Sequence, residues 1–197
     1  ISDLHTHSAF SDGHVWPNLR VAEASRDGID LLAITEHLEY QPHKSDIPHP
    51  DRNRAFDIAF EAAKKSNVLV INGSEITREF PPGHINAVFI KDANKMINID
   101  RSKQSEADDF ISQLPIELIE EHLNDPWFKD GILAALWPIE ETLNEAKNQD
   151  AFVFWNHPAW SSEKESSDKV LHKIHSDLIK KKLIHGIEVV NGKWFSK

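Results

Sequence analysis

Near its start the chain reads DLHTHSAFSDGH, which sets His5, His7, Asp12 and His14 within one short stretch. Imidazole nitrogens and carboxylate oxygens are the donors that divalent first-row metals take up. On an extended segment, residues i and i+2 point to the same side, so His5 and His7 can reach one ion while Thr6 turns away. The same residue types recur downstream. His37 follows LLAITE, Glu75 follows VLVINGS, His84 heads HINAVFI and His157 follows AFVFWN. Each has an ordinary alternative reading. A His-x-His arises on any alternating exposed strand, Asp12-Gly13 reads as a turn, Glu36-His37 as a helix start, Gly73-Ser74-Glu75 as a turn and His157-Pro158 as a loop. Together they fall at the ends of successive apolar runs, and one shared metal centre accounts for all of them.

Those runs are the elements that must position the site. LLAIT at 31–35, VLVING at 68–73, HINAVFI at 84–90, AFVFWN at 151–156 and GIEVVNG at 186–192 read as buried strands. Between them, apolar positions three and four apart predict helices over 17–27, 51–65, 138–149 and 168–183. Strand and helix alternating predict an α/β fold with each strand parallel to the last. No glycine-rich dinucleotide loop or phosphate-cradling lysine motif follows the first strand. A barrel, whose strand carboxyl ends converge on one face, therefore fits better than a nucleotide-binding open sheet. Residues 91–137 are less regular and read as an insertion carrying a helix or two.

Composition bounds the rest. The chain has 197 residues, 40% of them hydrophobic, enough for one domain with a core, and no apolar run long enough to cross a bilayer. A formal net charge of −10 disfavours an extended nucleic-acid surface or adhesion to anionic membrane. There are 12 histidines and no cysteine, so any metal must be held by imidazole and carboxylate. That donor set suits zinc, manganese or iron and disfavours magnesium or calcium, which prefer oxygen cages. Compartment and oligomeric state are not legible.

HTHSAFSDG, ITEH, GSEIT followed by GHINAVF, WNHP and GIEVVNG resemble, in order and spacing over 3–192, the motifs of the PHP (polymerase and histidinol phosphatase) domain family. The resemblance implies a distorted (β/α)7 barrel, TIM-barrel-like, with two or three divalent metals at the carboxyl ends of its strands. It implies His5 and His7 as ligands of a first metal, and Glu75 as the carboxylate bridging the first and second. His84 and His157 would complete the second, while Asp12 and His37 match a third. The family closes its site with a later Asp-x-His, which this sequence does not reach before Lys197. The expectation is a single domain, incomplete at its C-terminal end.

The expected activity is hydrolysis of a small phosphate ester or nucleotide, by a hydroxide bridging two ions that share Glu75. Arg78 is a candidate to grip the substrate phosphate, or else an ordinary surface arginine paired with Glu79 or nearby aspartates. Arg20 and Lys44 rank below it. His14 is a candidate proton donor or substrate contact, or else a loop histidine. Trp16, Trp155 and Trp160 are candidates to wall the pocket or to sit in the core. His43 and His49 read as surface residues, and His122, His172, His175 and His185 as solvated or capping. Two alternatives remain open: an amidohydrolase breaking a C–N bond with the same metals, and a non-catalytic regulatory PHP module.

Overall fold

The computed structural model describes residues 1–40, 51–122, 124–158 and 171–191. Six strands form one curled, half-barrel sheet in sequence order: β1 (Ser2–Asp3), β2 (Leu31–Ile34), β3 (Leu69–Ile76), β4 (Ile85–Val88), β5 (Phe152–Trp155) and β6 (Gly186–Ile187). Helices α1 (Pro17–Arg26) and α2 (Arg54–Ala63) follow β1 and β2. After β4 come two 3-10 turns (Ala93–Met96 and Arg101–Lys103), then α3 (Gln104–Ile111), α4 (Ile116–His122), α5 (Pro126–Ala135) and α6 (Ile139–Asn148). Helix α7 (Lys173–Lys180) precedes β6. The α/β alternation is thus as the sequence indicated, and the 91–137 insertion holds three short α-helices.

Strand direction departs from expectation. Strands β1 to β3 are parallel and β5 is parallel to β6, but β4 runs antiparallel to both β3 and β5. The physical reason is the short connection between Ile76 and Ile85, since a parallel return needs a crossover of a dozen or more residues. The reversal matters for the site. His84 precedes β4, so the start of that strand lies at the same end of the sheet as the finish of β3, where Ile76 pairs with Ile85 and Glu75 with Asn86.

The sheet is apolar on both faces, which is why its strands read as continuous hydrophobic runs. Leu32, Ile34 and Val70 turn outward and pack with Val21 and Ala24 of α1 and with Ala55 and Ala59 of α2. Ile85, Ala87, Val153 and Trp155 pack outward with Leu143, Ala146 and Leu178 of α6 and α7. The alternate residues Ala33, Val88 and Phe154 meet inside the curl with Leu4 and Ile71. Helix α5 is tied close by Gly131, where a Cβ would come within 2.7 Å of the Glu39 carbonyl oxygen. Among the described residues, no helix is long and apolar enough to cross a membrane.

Candidate metal centre

Glu75, near the end of β3, is buried to 1% exposure, and five imidazoles surround it. Its two oxygens divide them. Oε2 lies 2.9 Å from His5 Nε2, 2.9 Å from His7 Nε2 and 3.8 Å from His37 Nδ1. Oε1 lies 2.8 Å from His84 Nδ1 and 3.7 Å from His157 Nε2. The His5 and His7 Nε2 atoms are themselves only 3.1 Å apart. Donors packed roughly 3 Å from one another are what an ion with ligands about 2.0–2.1 Å away collects around itself. Three overlapping sets have ligand atoms within 4.8 Å of one another: His5, His7 and Glu75; His7, Asp12 and His37; and His37, Glu75 and His84. The donors therefore fit divalent metal of the imidazole-preferring kind.

The local sequence explains the convergence. His5 and His7 leave β1 in extended backbone, and the loop behind them folds back on itself. Ser11 and Gly13 both donate backbone N–H bonds to the Ser8 carbonyl, at 3.1 and 2.9 Å. Gly13 lies so close that a Cβ there would meet the His7 backbone at 2.6 Å. The fold-back carries half-exposed Asp12 to 3.4 Å from His7 Nδ1 and 3.5 Å from His37 Nε2. His37 leaves β2 and pairs in a bridge with Glu75.

Electrostatics follow from one carboxylate serving many rings. Burial would raise the Glu75 pKa, but hydrogen bonds from His157, His5, His7 and His84 hold it well below the usual carboxylate range. Burial would lower His5, but hydrogen bonds to Glu188 and Glu75 raise it to about 10. The hydrogen bond from His37 holds Asp12 down at about 2. His37 is raised, because its Asp12 and Glu75 partners outweigh its burial.

Sequence reasoning missed the residues that hold the rings. Glu188, just beyond β6, accepts from His5 Nδ1 at 2.9 Å and from the His157 backbone N–H at 2.9 Å. Buried Glu36 accepts from the Ser8 N–H at 2.9 Å and from the hydroxyls of Ser8 and Ser11. Thr77 Oγ1 lies 2.6 Å from His37 Nδ1. The signal was present: Glu188 and Glu36 are carboxylates inside apolar motifs, where burial demands a partner.

The remaining candidates are placed differently. Arg20 donates from Nε to the His7 carbonyl at 2.6 Å and from Nη1 to Glu23 at 2.9 Å. Arg78 is not on the surface. Its side chain is 8% exposed and ion-paired with buried Glu39, and it donates to the carbonyls of Thr77 (3.0 Å) and Trp137 (3.2 Å). His14 is exposed on the loop, outside the hydrogen-bonded cluster. Trp155 is core and Trp16 is 40% exposed. His43, Lys44, His49 and Trp160 lie outside the described residues. His175, expected to be solvated or capping, does cap α7, because its Nδ1 accepts from the His172 N–H at 3.1 Å. It is nonetheless fully buried.

The fold is of the α/β class, and its cluster is one that could hold divalent metal ions. The PHP domain model matches residues 3–180, and the chain belongs to that family. It is similar to a two-domain protein of Bacteroides vulgatus containing a predicted PHP-like metal-dependent phosphoesterase, with 39% identity and a TM-score of 0.72 over 97% of this chain. The chain spans 44% of that protein. A candidate metal-dependent phosphoesterase from Bifidobacterium adolescentis (17% identity, TM-score 0.56) covers 95% of this chain and 76% of its own. An amidohydrolase from Chromobacterium violaceum, solved with sulfate and no metal, has 14% identity and a TM-score of 0.56 over the same shares. At these identities the last two show the fold alone. No curated protein matches the chain significantly.

Proposed function

We propose that the protein is a metal-dependent hydrolase of phosphate esters. The observation that carries the reading is the division of labour at Glu75, one oxygen beside His5 and His7 and the other beside His84 and His157. That is the arrangement a carboxylate adopts between two ions, with Asp12 and His37 available to a third. The ions are zinc, manganese or iron by the donor chemistry. When bound, they would lower the pKa of a water toward neutrality and neutralise charge on phosphate and leaving oxygens. The likeness to the Bacteroides vulgatus protein, which contains a predicted PHP-like metal-dependent phosphoesterase, supports the same reading. The half-barrel is read as part of a distorted (β/α)7 barrel.

The chain's own residues supply positioning. Glu188 fixes the His5 ring through Nδ1 and leaves Nε2 to face the cluster. Thr77 does the same for His37, and Arg20 anchors the backbone of His7. Arg78 is committed to Glu39, so its part is to brace the wall of the site rather than to grip phosphate as a free cation. His14, exposed on the loop two residues after Asp12, is assigned the exchange of a proton with a bound substrate on its place in the sequence alone.

The test is turnover of p-nitrophenyl phosphate by protein stripped with chelator and then reloaded with zinc, manganese or iron. Turnover should vanish on stripping and return with metal, and should fall by at least about 10³-fold in His5→Ala, as expected for loss of a group acting in the transition state. Full turnover by rigorously stripped protein would overturn the reading.

A further inference from the structure

A cavity of about 670 Å³ adjoins the cluster and shares His84 and Thr77 with it. This is the size of a small-molecule site. Its far wall is apolar and aromatic, built by Phe110, Trp127, Trp137 and Ile139 of the 104–139 region, with Tyr40 at the near side. Rings link the two places. His37 and Tyr40 lie edge-on with ring centroids 6.1 Å apart, and Tyr40 and Trp127 lie edge-on with centroids 4.8 Å apart. Metal binding and phosphate hydrolysis need none of these rings. Phe110, Trp127, Trp137 and Ile139 are all only partly buried, so the cavity leaves apolar surface uncovered next to the reacting centre.

Charge narrows what fits. The arginine in the wall, Arg78, is neutralised by Glu39, so the cavity offers an incoming anion no free cation from that residue. We propose that this cavity receives the alcohol portion of the substrate, and that this portion is a bulky uncharged group of aromatic-ring size. The proposal rests on the phosphoesterase reading. In the reaction, the bond from phosphorus to the ester oxygen breaks and water oxygen forms the new bond to phosphorus. The attacking water gives up a proton, the leaving alkoxide takes one up in its place, and the alcohol departs neutral, held by the apolar wall.

The experiment compares kcat/KM for 2-phenylethyl phosphate and ethyl phosphate on metal-loaded protein, two esters whose leaving alkoxides are of similar basicity. Covering one ring with apolar wall should favour the aromatic ester by roughly 30-fold or more. Ala135→Trp, which fills the cavity, should collapse the preference to within about threefold. Trp127→Leu, a milder change, should reduce it about fivefold. Equal rates on the two esters, or a preference that survives both substitutions, would overturn the proposal while leaving the phosphoesterase reading intact. If neither ester is hydrolysed, the phosphoesterase reading fails only if p-nitrophenyl phosphate is not turned over either, and binding of 2-phenylethanol by saturation-transfer NMR decides the cavity. Saturable binding lost in Ala135→Trp supports it, and absence of binding overturns it.

Discussion

Two places in this molecule bury histidine, and they do so by opposite means. Around Glu75, His5 and His37 are buried or nearly so, and neighbouring carboxylates raise their pKa values. In the packing between the sheet and α7, His175 is fully buried and its pKa is lowered, first by burial itself. Its Nε2 donates to the Pro82 carbonyl at 2.8 Å, its Nδ1 accepts from the His172 N–H, and its ring stacks on Trp155 with centroids 3.9 Å apart. A ring with one nitrogen donating and the other accepting is neutral, and it has no lone pair left over. The rings around Glu75 leave nitrogens facing one another across about 3 Å. Burial alone therefore does not mark a ligand. What marks one is a nitrogen aimed at other donors.

The largest effect is expected at Glu75. Glu75→Gln keeps the shape but removes the charge shared by the rings. It should weaken divalent metal binding by at least about 100-fold, so that added zinc no longer raises Tm. A variant that keeps the metal-induced rise in Tm would refute the bridging role. His175→Leu should do the reverse, lowering stability by about 2–4 kcal/mol through an orphaned Pro82 carbonyl and a lost cap. Its metal content should be unchanged, as urea unfolding and elemental analysis on one sample would show.

Smaller effects sharpen the contrast. Glu188→Gln should leave the fold in place and reduce metal affinity about 10- to 100-fold, because the His5 ring loses the acceptor that orients it. Calorimetric titration reads this directly, and native-like affinity would show that Glu188 does not hold His5 for metal. The smallest effect is in pH. His175 has a folded pKa below its unfolded value, so the unfolded chain binds the proton first. Its contribution is whole above about pH 6.5 and is lost as the pH falls below that toward the folded pKa. In His175→Leu that part of the acid dependence of stability should disappear. An unaltered pH profile would mean the ring is not held neutral.

Much of the cluster was legible because ligand types stood at the ends of apolar runs, and strand ends are where side chains of different elements meet. His5, His7, Asp12, His37, Glu75, His84 and His157 are the residues the sequence indicated, and the fold brings them together. The direction of β4 was not legible from its residues, since Ile85–Val88 is apolar in either direction. The length of the 77–84 connection carried that information. Glu188, Glu36 and Thr77 escaped because a supporting acceptor is defined by what it touches, and partners such as His5 and Glu188 are far apart in sequence. The burial of Arg78 escaped for the same reason. Its partner Glu39 sits after β2, and the backbone it braces belongs to Trp137 in the insertion. The aromatic wall escaped because helices in an irregular segment show which residues are apolar but not which face the site.

The most direct test of the central claim is the number of divalent ions retained per chain, measured by elemental analysis after purification without chelator and extensive dialysis. Two or three equivalents of zinc, manganese or iron are expected in the protein and fewer than one in Glu75→Gln at equal folded fraction. Metal-free protein that takes up no ion on reconstitution, or equal retention by the two, would contradict it.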